Sequence, residues 1–192
     1  LAGTIYKTGD FTPYLYKTAN YGKSWKKIVN GIPDEHFTRV LREDPSKEGL
    51  LYAGTEYRIY VSYDDGESWN SFQKNLPVVP ITDIKIKDNS LIVATQGRGI
   101  WILDDLTVLH QLNNKIINDK INLFKPKKSY RVSGSGGKNS KLAGTNLENG
   151  VIVYFNLKNY DSKKDSVSLT FTDSNGKIIK AFNNLNSKDS LS

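Results

Sequence analysis

The sequence predicts an all-β protein in which repeated units of four short strands precede a second, smaller β domain. Three observations carry this prediction. An octapeptide at residues 18–25 recurs at residues 62–69, an offset of 44 residues. The strand-like segments that flank the two copies align with one another at similar offsets. After residue 112 the repeat ends, and from residue 150 onwards two further strand-like segments follow.

The octapeptide has the composition of a hairpin turn that is stapled by its own side chains. Both copies read hydroxyl, any residue, Asp or Asn, any residue, Gly, any residue, Ser, Trp. A side-chain oxygen at the third position can accept hydrogen bonds from turn amides, and the glycine can adopt a positive φ. The tryptophan begins the next strand, where a large ring packs between neighbouring units. The residues with these structural roles are Thr18, Asn20, Gly22 and Trp25 in the first copy and Ser62, Asp64, Gly66 and Trp69 in the second.

The two octapeptides resemble Asp-boxes, the BNR repeats found in sialidases, sortilin-like domains and xyloglucanase-like β-propellers. The resemblance implies that each octapeptide joins the third and fourth strands of a propeller blade, on the side away from the ligand face. It also implies that the boxes are structural, so they identify a scaffold and leave its chemistry open.

A wider self-alignment extends the repeat to whole blades. The matching segments are 37–44 with 81–88, 51–55 with 91–95, and 1–4 in the same second-strand position. A period of roughly 40–45 residues with four short strands suits a propeller blade. About two and a half blades fit in this part of the chain, whereas a closed ring needs at least roughly four. We therefore expect a fragment whose partners include the remaining blades of a parent chain.

The last repeat departs from the pattern and predicts an exit from the propeller. Residues 103–109 keep an acidic pair but lack the glycine and the tryptophan of a box. A short helix or connector is expected over residues 106–112. The predicted organisation is propeller blades over residues 1–112, a polar connector over 113–122 and an incomplete β-sandwich over 123–192.

The second domain is predicted from strand patterns and one turn. Residues 150–157 and 166–172 are strand-like, and the second segment alternates strictly between polar and apolar side chains. An Asn-Gly pair at residues 175–176 predicts a type I′ hairpin into residues 177–182. These features favour a small sandwich of the fibronectin-III or immunoglobulin type. The Gly- and Ser-rich residues 133–144 predict a mobile loop.

Composition excludes several classes of function. The chain has no cysteine, which removes disulfides, thiolate catalysis and cysteine-based metal sites. Its net charge of +7 comes from scattered lysines without a basic cluster interleaved with aromatic residues, so no nucleic-acid partner is expected. No run of about 18 apolar residues encodes a membrane span. The sequence predicts no cofactor.

The order of the parts resembles the C-terminal part of large bacterial proteins described as sortilin-like or glycosyl hydrolase BNR-repeat proteins. The resemblance covers about residues 1–182 and is most specific at residues 95–105, Thr-Gln-Gly-Arg-Gly-Ile-Trp-Ile-Leu-Asp-Asp. It implies a secreted, periplasmic or cell-surface location. Two functions stay open: a non-catalytic module that binds a peptide or glycan, and part of a xyloglucanase-like glycoside hydrolase that acts on polysaccharide.

The hydrolase alternative needs two carboxyl groups, one protonated and one ionised. The candidates are Glu56 and Asp83, which stand where the matching blade has Gln96 and Arg39. Each is thus a departure from the repeat, as a functional residue would be. Both also fit the role of a solvated acid in a turn or at a strand edge. In xyloglucanase-like enzymes the two acids come from well-separated parts of a long chain.

The binding alternative has its own candidates. Tyr57 is a platform on which a sugar ring can stack, and Arg58 and Arg98 precede the third strands of their blades, where a guanidinium can fork onto a carboxylate or sugar hydroxyls. Both arginines also fit a structural role in bonding carbonyls between blades. We predict no metal site, because neither His36 nor His110 has an acidic or histidine partner at ligand spacing.

Overall fold

The computed structural model describes residues 1–129, 150–161 and 163–184, and these residues form an all-β protein, as the sequence predicts. Contacts divide the chain into two compact units. Residues 1–117 form the first unit together with 124–129 and 150–154, and residues 118–123, 155–161 and 163–184 form the second. The loop predicted over residues 133–144 lies outside the described residues.

The first unit consists of three antiparallel sheets in chain order. The first sheet comprises β1 (Ala2–Ile5), β2 (Asp10–Lys17) and β3 (Lys26–Lys27). The central sheet comprises β4 (Thr38–Glu43), β5 (Leu51–Thr55), β6 (Ile59–Ser62) and β7 (Asn70–Ser71). The third sheet comprises β8 (Ile81–Lys87), β9 (Ser90–Thr95) and β10 (Ile100–Leu103). Each strand pairs with its neighbour in sequence, so each sheet is a simple meander.

The central sheet is buried on both faces, and its sequence shows why. Every residue of β5 and β6 is buried, and successive side chains of a strand point to opposite faces. Tyr52 packs in a core shared with the third sheet, whereas Leu51 and Ala53 pack in a core shared with the first. Burying a side chain of the size of leucine stabilises the fold by about 1.5–3 kcal/mol. Two such cores hold the three sheets together.

The octapeptides form the β2–β3 and β6–β7 turns, and both use the same hydrogen bonds. Asp64 Oδ1 accepts a bond from the Ser68 amide at 2.9 Å, and Ser62 Oγ accepts one from the Gly66 amide at 2.9 Å. Burial acts to raise the pKa of Asp64, but hydrogen bonds from Ser68 and Ser62 outweigh it, so the pKa lies below its usual value. The equivalent bonds in the first turn run from Ser24 to Asn20 at 2.9 Å and from Gly22 to Thr18 at 2.8 Å. Gly22 and Gly66 have φ values of 87° and 89°.

The two octapeptide tryptophans differ in their surroundings. Trp69 is 4% exposed, lies between the first and central sheets, and donates its indole N–H to the Ile28 carbonyl at 2.8 Å. Trp25 is 50% exposed. The expectation that each ring packs between neighbouring units therefore holds for Trp69 alone. Trp25 instead lines an open pocket together with Leu41 and Leu51 of the central sheet.

The chain leaves the third sheet through α1 (Thr107–Gln111) and α2 (Asn114–Asn118). Leu106 and Leu109 anchor α1 in the core between the central and third sheets. His110 on α1 bonds Asp44 of the β4–β5 loop through Nε2 at 2.9 Å, and the Asp44 side chain is fully buried. Lys47 donates to the carbonyl groups of Leu109 and Leu112. These contacts fix the end of α1 to the β4–β5 loop.

The second unit contains two antiparallel pairs of strands. They are β11 (Ile121–Leu123) with β12 (Phe155–Leu157), and β13 (Ser168–Thr172) with β14 (Ile178–Asn183). Of the strand expected over residues 150–157, only Phe155–Leu157 form β12, and the Phe124 amide bonds the preceding Tyr154 carbonyl at 2.9 Å. The rings of Phe171 and Phe182 meet edge to face at 6.0 Å across the second pair.

The β13–β14 turn also differs from the sequence expectation. A type I′ turn needs positive φ at both central residues, but of the Asn-Gly pair only Gly176 has it, at 81°. The Asp173 carboxylate accepts hydrogen bonds from the amides of Asn175 and Lys177, both at 2.9 Å. This Asx arrangement closes the turn without a left-handed asparagine.

Candidate functional site

The candidate site lies at one end of the strands of the three sheets, and this end is here called the turn edge. In an antiparallel meander, successive turns alternate between the two ends of the sheet. The octapeptide turns therefore lie at one end. The turn edge is the other end, formed by the β1–β2, β3–β4 and β7–β8 connections and by the β5–β6 and β9–β10 turns.

The β5–β6 turn is the most firmly held part of the turn edge. Thr55 Oγ1 accepts hydrogen bonds from the amides of Tyr57 and Arg58 at 3.2 and 3.1 Å. The Glu56 amide donates to the Phe37 carbonyl at 3.1 Å, and the Tyr57 carbonyl accepts from the Val79 amide at 3.1 Å. Segments on both sides thus fix the backbone that carries Glu56, Tyr57 and Arg58, so their side chains start from defined positions.

Tyr57 and Arg58 belong to an aromatic and basic cluster with His36 and Tyr60. The His36 ring lies 4.8 Å from that of Tyr57, and its Nδ1 is 2.7 Å from the Tyr60 hydroxyl. Tyr57 is 41% exposed. Arg58 Nε is buried and has no hydrogen-bond partner among the described residues. The cluster therefore combines the open ring of Tyr57 with a buried guanidinium donor, Arg58 Nε, that is unpaired among the described residues.

Burial sets the protonation of this cluster. It lowers the pKa of His36, and the Arg58 charge lowers it further, while Glu35 opposes the shift. Burial raises the pKa of Tyr60, with Arg58 acting against it. Both side chains are therefore uncharged at neutral pH, and the Arg58 guanidinium is the positive charge beside them.

The lowered pKa of His36 predicts a loss of stability in mild acid. A folded state that disfavours protonation of a histidine is most stable above the usual histidine pKa of about 6.5. It loses stability as the pH falls below that value. We expect a larger loss of unfolding free energy between pH 7.5 and pH 5.5 for the natural chain than for a His36→Gln variant. Urea unfolding at the two pH values measures it, and equal losses in both proteins would contradict the assignment.

Glu56 is engaged by an arginine that sequence reasoning did not select. Arg39 Nε and Nη2 both lie 2.6 Å from Glu56 Oε2, and the two side chains are about one quarter exposed. The Arg39 guanidinium also lies over the rings of Phe37 and Tyr6, at 5.3 and 5.8 Å from their centroids. Those two rings stack at 4.8 Å. Glu56 is thus part of an arginine and aromatic stack.

Asp83 lies in the body of β8 and pairs with a different arginine. Its Oδ1 accepts hydrogen bonds from Arg42 Nη2 at 2.7 Å and from the Ile84 amide at 2.8 Å. Arg39, Arg42 and Asp83 line one open, polar groove along β4 and β8. Glu56 and Asp83 therefore each accept a bond from a separate arginine, and Glu56 is not among the residues that line the groove.

Arg98 lies on the β9–β10 turn but not at the position equivalent to Arg58. The Thr55 amide and hydroxyl bond the carbonyl of Arg58, whereas those of Thr95 bond the carbonyl of Gly99. The second turn is one residue longer, and Gly99 takes the backbone position of Arg58. The exposed Arg98 instead receives the indole N–H of Trp101 on its carbonyl at 3.0 Å.

The structure also corrects the view that neither histidine has an acidic partner. His110 bonds Asp44, which is 66 residues away in sequence, and the Tyr52 hydroxyl lies 3.4 Å from the same carboxylate. Burial raises the pKa of Tyr52, and the Asp44 charge adds to that shift. Among the described residues, no group of three histidine or acidic side chains could hold a metal ion.

Comparisons with known proteins leave the site to be interpreted from its own chemistry. No protein-family model matches the chain, and a search of curated proteins found no significant relative. Within the part of the chain that the structure describes, no helix has the length and apolar character to cross a membrane.

Proposed function

We propose that the chain is a non-catalytic binding segment, that the turn edge is its ligand surface, and that the ligand is a glycan or a peptide. One observation carries the proposal: the exposed Tyr57 ring and the Arg58 guanidinium, whose buried Nε has no hydrogen-bond partner among the described residues, both lie near His36. Leaving a buried donor unpaired costs about 1–3 kcal/mol. The Arg58 side chain must turn outward before a ligand oxygen can accept this bond, which then recovers the cost while the ligand's ring or peptide plane stacks on Tyr57.

The scaffold that we propose for this surface is a set of Asp-box propeller blades followed by a β-sandwich segment. The three meanders that stack in chain order and the matching bonds of the two octapeptide turns support it. The half-exposed ring of Trp25 supports the further proposal that another blade of the parent chain covers the first sheet. From the family resemblance we propose a secreted, periplasmic or cell-surface location.

Hydrolysis is not the function that we propose. A glycosidase places a proton-donating carboxyl group and a carboxylate on either side of the bond that breaks. Glu56 and Asp83 each accept a hydrogen bond from an arginine, and of the two only Asp83 lines the groove along β4 and β8. Nothing in these contacts favours a proton donor at either position.

A binding screen with matched variants tests the proposal. The probes are xyloglucan and β-glucan oligosaccharides, sialyllactose and an immobilised peptide library. For any probe that binds, we expect Tyr57→Ala and Arg58→Gln to weaken affinity at least about tenfold, since each removes a central contact. Tyr21→Ala is the control, because Tyr21 is fully exposed at the octapeptide end.

Two outcomes would contradict the proposal. One is binding that the Tyr57 and Arg58 variants leave unchanged. The other is turnover of a polysaccharide that falls more than about a hundredfold in Glu56→Gln or Asp83→Asn, because a loss of that size is typical of a general acid or base.

A further inference from the structure

The turn edge repeats a short segment that carries an exposed tyrosine. Residues 2–7 read Ala-Gly-Thr-Ile-Tyr-Lys, and residues 53–58 read Ala-Gly-Thr-Glu-Tyr-Arg. The two segments share four residues, and both end in a basic residue. In each sheet the segment runs from a strand into the turn that follows it. Tyr6 and Tyr57 therefore hold equivalent positions, and they are 36% and 41% exposed.

Both tyrosines rest on one dipeptide of the β3–β4 connection. The Tyr6 ring stacks on the Phe37 ring, with 4.8 Å between centroids and 13° between the planes. The Tyr57 ring lies 4.8 Å from the ring of His36, the residue before Phe37. Phe37 is buried, so the stack is anchored in the fold. Two tyrosines that stand 51 positions apart in the sequence thus flank the same two residues.

The backbone holds each tyrosine in place. The Tyr6 carbonyl accepts a hydrogen bond from the Gly9 amide at 3.0 Å, and the Thr8 hydroxyl donates to the Ile5 carbonyl at 2.8 Å. These bonds close a single 3₁₀ turn at the tip of the β1–β2 hairpin. The Tyr57 backbone is fixed by the bonds of the β5–β6 turn described above. A ligand that stacks on these rings therefore does not have to order the segments that carry them.

A polar pair links the two tyrosines. The Arg39 guanidinium lies 5.8 Å from the centroid of the Tyr6 ring and binds Glu56, the residue before Tyr57. Both side chains are about one quarter exposed, so a ligand can reach them. The pair offers N–H donors and a carboxylate acceptor side by side, and its two charges offset each other. Such a pair suits hydroxyl groups, which both donate and accept.

We infer that Tyr6 and Tyr57 are two stacking subsites for one linear glycan, whose hydroxyl groups bond the Arg39–Glu56 pair between them. This inference rests on the proposed function and narrows its ligand to a glycan. A sugar ring carries C–H groups on its faces, which pack on aromatic rings, and hydroxyl groups around its rim. The two rings and the polar pair match that arrangement along a chain of sugars.

An extended peptide fits this surface less well. Peptides that bind in extended form commonly add to an open strand edge through their backbone groups. The turn edge instead presents the ends of strands, and its backbone groups are already paired. In the β5–β6 turn the Thr55 amide donates to the Arg58 carbonyl at 3.0 Å, and the Glu56 amide donates to the Phe37 carbonyl at 3.1 Å.

The two subsites lie at the boundary of two sheets that are both described. Thr38 Oγ1 lies 3.1 Å from the carbonyl oxygens of Gly3 and Tyr14, so the first and central sheets are joined beside Phe37. A further blade of the parent chain would cover the outer face of the first or third sheet and would leave this boundary open. In the β9–β10 turn Gly97 stands two residues after the threonine, where the other turns have tyrosine, so the row of rings ends at the central sheet.

A length series of oligosaccharides tests the inference. We would titrate the intact protein by calorimetry with disaccharides and hexasaccharides of β-1,4-linked glucose, mannose and xylose and of α-1,4-linked galacturonic acid. A hexasaccharide that binds is expected to do so at least about tenfold more tightly than its disaccharide, because it engages both tyrosines at once. Tyr6→Ala and Tyr57→Ala should each abolish this length advantage.

Controls separate stacking from folding. Tyr6→Phe keeps the ring and should keep the length advantage, whereas Tyr6→Ala should lose it while unfolding in urea as a folded protein does. Tyr21→Ala, at the octapeptide end, should bind as the natural chain does. In the natural chain the hexasaccharide should also shift the nuclear magnetic resonance signals of both the Tyr6 and the Tyr57 rings, a readout that needs no variant.

The outcomes distinguish this inference from the proposed function. If Tyr6→Ala keeps the full length advantage while Tyr57→Ala loses affinity, the two-subsite inference is wrong and the proposed ligand surface stands. A peptide from the immobilised library that shifts both tyrosine rings and binds more tightly than every oligosaccharide would overturn the choice of a glycan. If no probe binds, or if binding is insensitive to Tyr57→Ala and Arg58→Gln, the inference and the proposed function both fail.

Discussion

Replacing Trp69 with alanine is expected to lower the free energy of unfolding of the first unit by about 3–5 kcal/mol. The substitution empties a cavity between the first and central sheets, where Trp69 is 4% exposed. It also leaves the Ile28 carbonyl without the indole donor at 2.8 Å. Because Trp69 joins two sheets, we expect the loss of unfolding free energy to exceed that for a ring that packs on one sheet alone.

The repeat provides the matched control, Trp25→Ala. Trp25 has the same sequence context but is 50% exposed, so we expect a loss of less than about 1 kcal/mol. Urea unfolding followed by far-ultraviolet circular dichroism measures both variants. If both substitutions cost less than about 1 kcal/mol, Trp69 does not join the sheets as the structure indicates. If Trp25→Ala is costly as well, the ring of Trp25 is covered in solution.

The repeat allowed the local structure of the turns to be predicted from sequence. A hydroxyl, a side-chain oxygen and a glycine at fixed spacing can satisfy one another within eight residues, so no distant contact is needed. Ser62 and Asp64 accordingly make the same bonds as Thr18 and Asn20. Burial of the tryptophans could not be predicted in this way, because it depends on whether another sheet lies next to the ring.

Of the candidate site, only the residues of the turns could be predicted from the sequence. Departure from the repeat drew attention to Glu56, but its partner Arg39 stands in another strand and looks like an ordinary surface residue in the sequence. The bond between Asp44 and His110 joins residues 66 positions apart, and no spacing rule connects them. The equivalence expected for Arg58 and Arg98 failed because one extra residue in a turn shifts every position before the next strand. Contacts between elements, rather than within them, were therefore the part that the sequence did not reveal.

Replacing Gly31 with alanine is expected to cost more than about 3 kcal/mol, for two reasons that act together. Gly31 has a φ of 98°, which an L-residue adopts only with strain of about 1–3 kcal/mol. The added Cβ would also lie 2.3 Å from the Trp69 carbonyl oxygen and 3.2 Å from its carbonyl carbon. These are backbone atoms, so β7 itself would have to move. The 2.8 Å bond from the Trp69 amide to the Asn30 carbonyl would then be lost.

Gly97→Ala separates the strain from the collision. Gly97 has a φ of 85°, but a Cβ there would meet nothing within 4 Å, so only the conformational cost of about 1 kcal/mol is expected. The difference between the two variants in urea unfolding then reports the collision with β7. The indole N–H signal of Trp69 should also shift in Gly31→Ala alone, because the ring is displaced with the strand that carries it. Equal losses in the two variants would mean that β7 yields at little cost. The fourth strand of the central sheet would then be a loosely held edge strand.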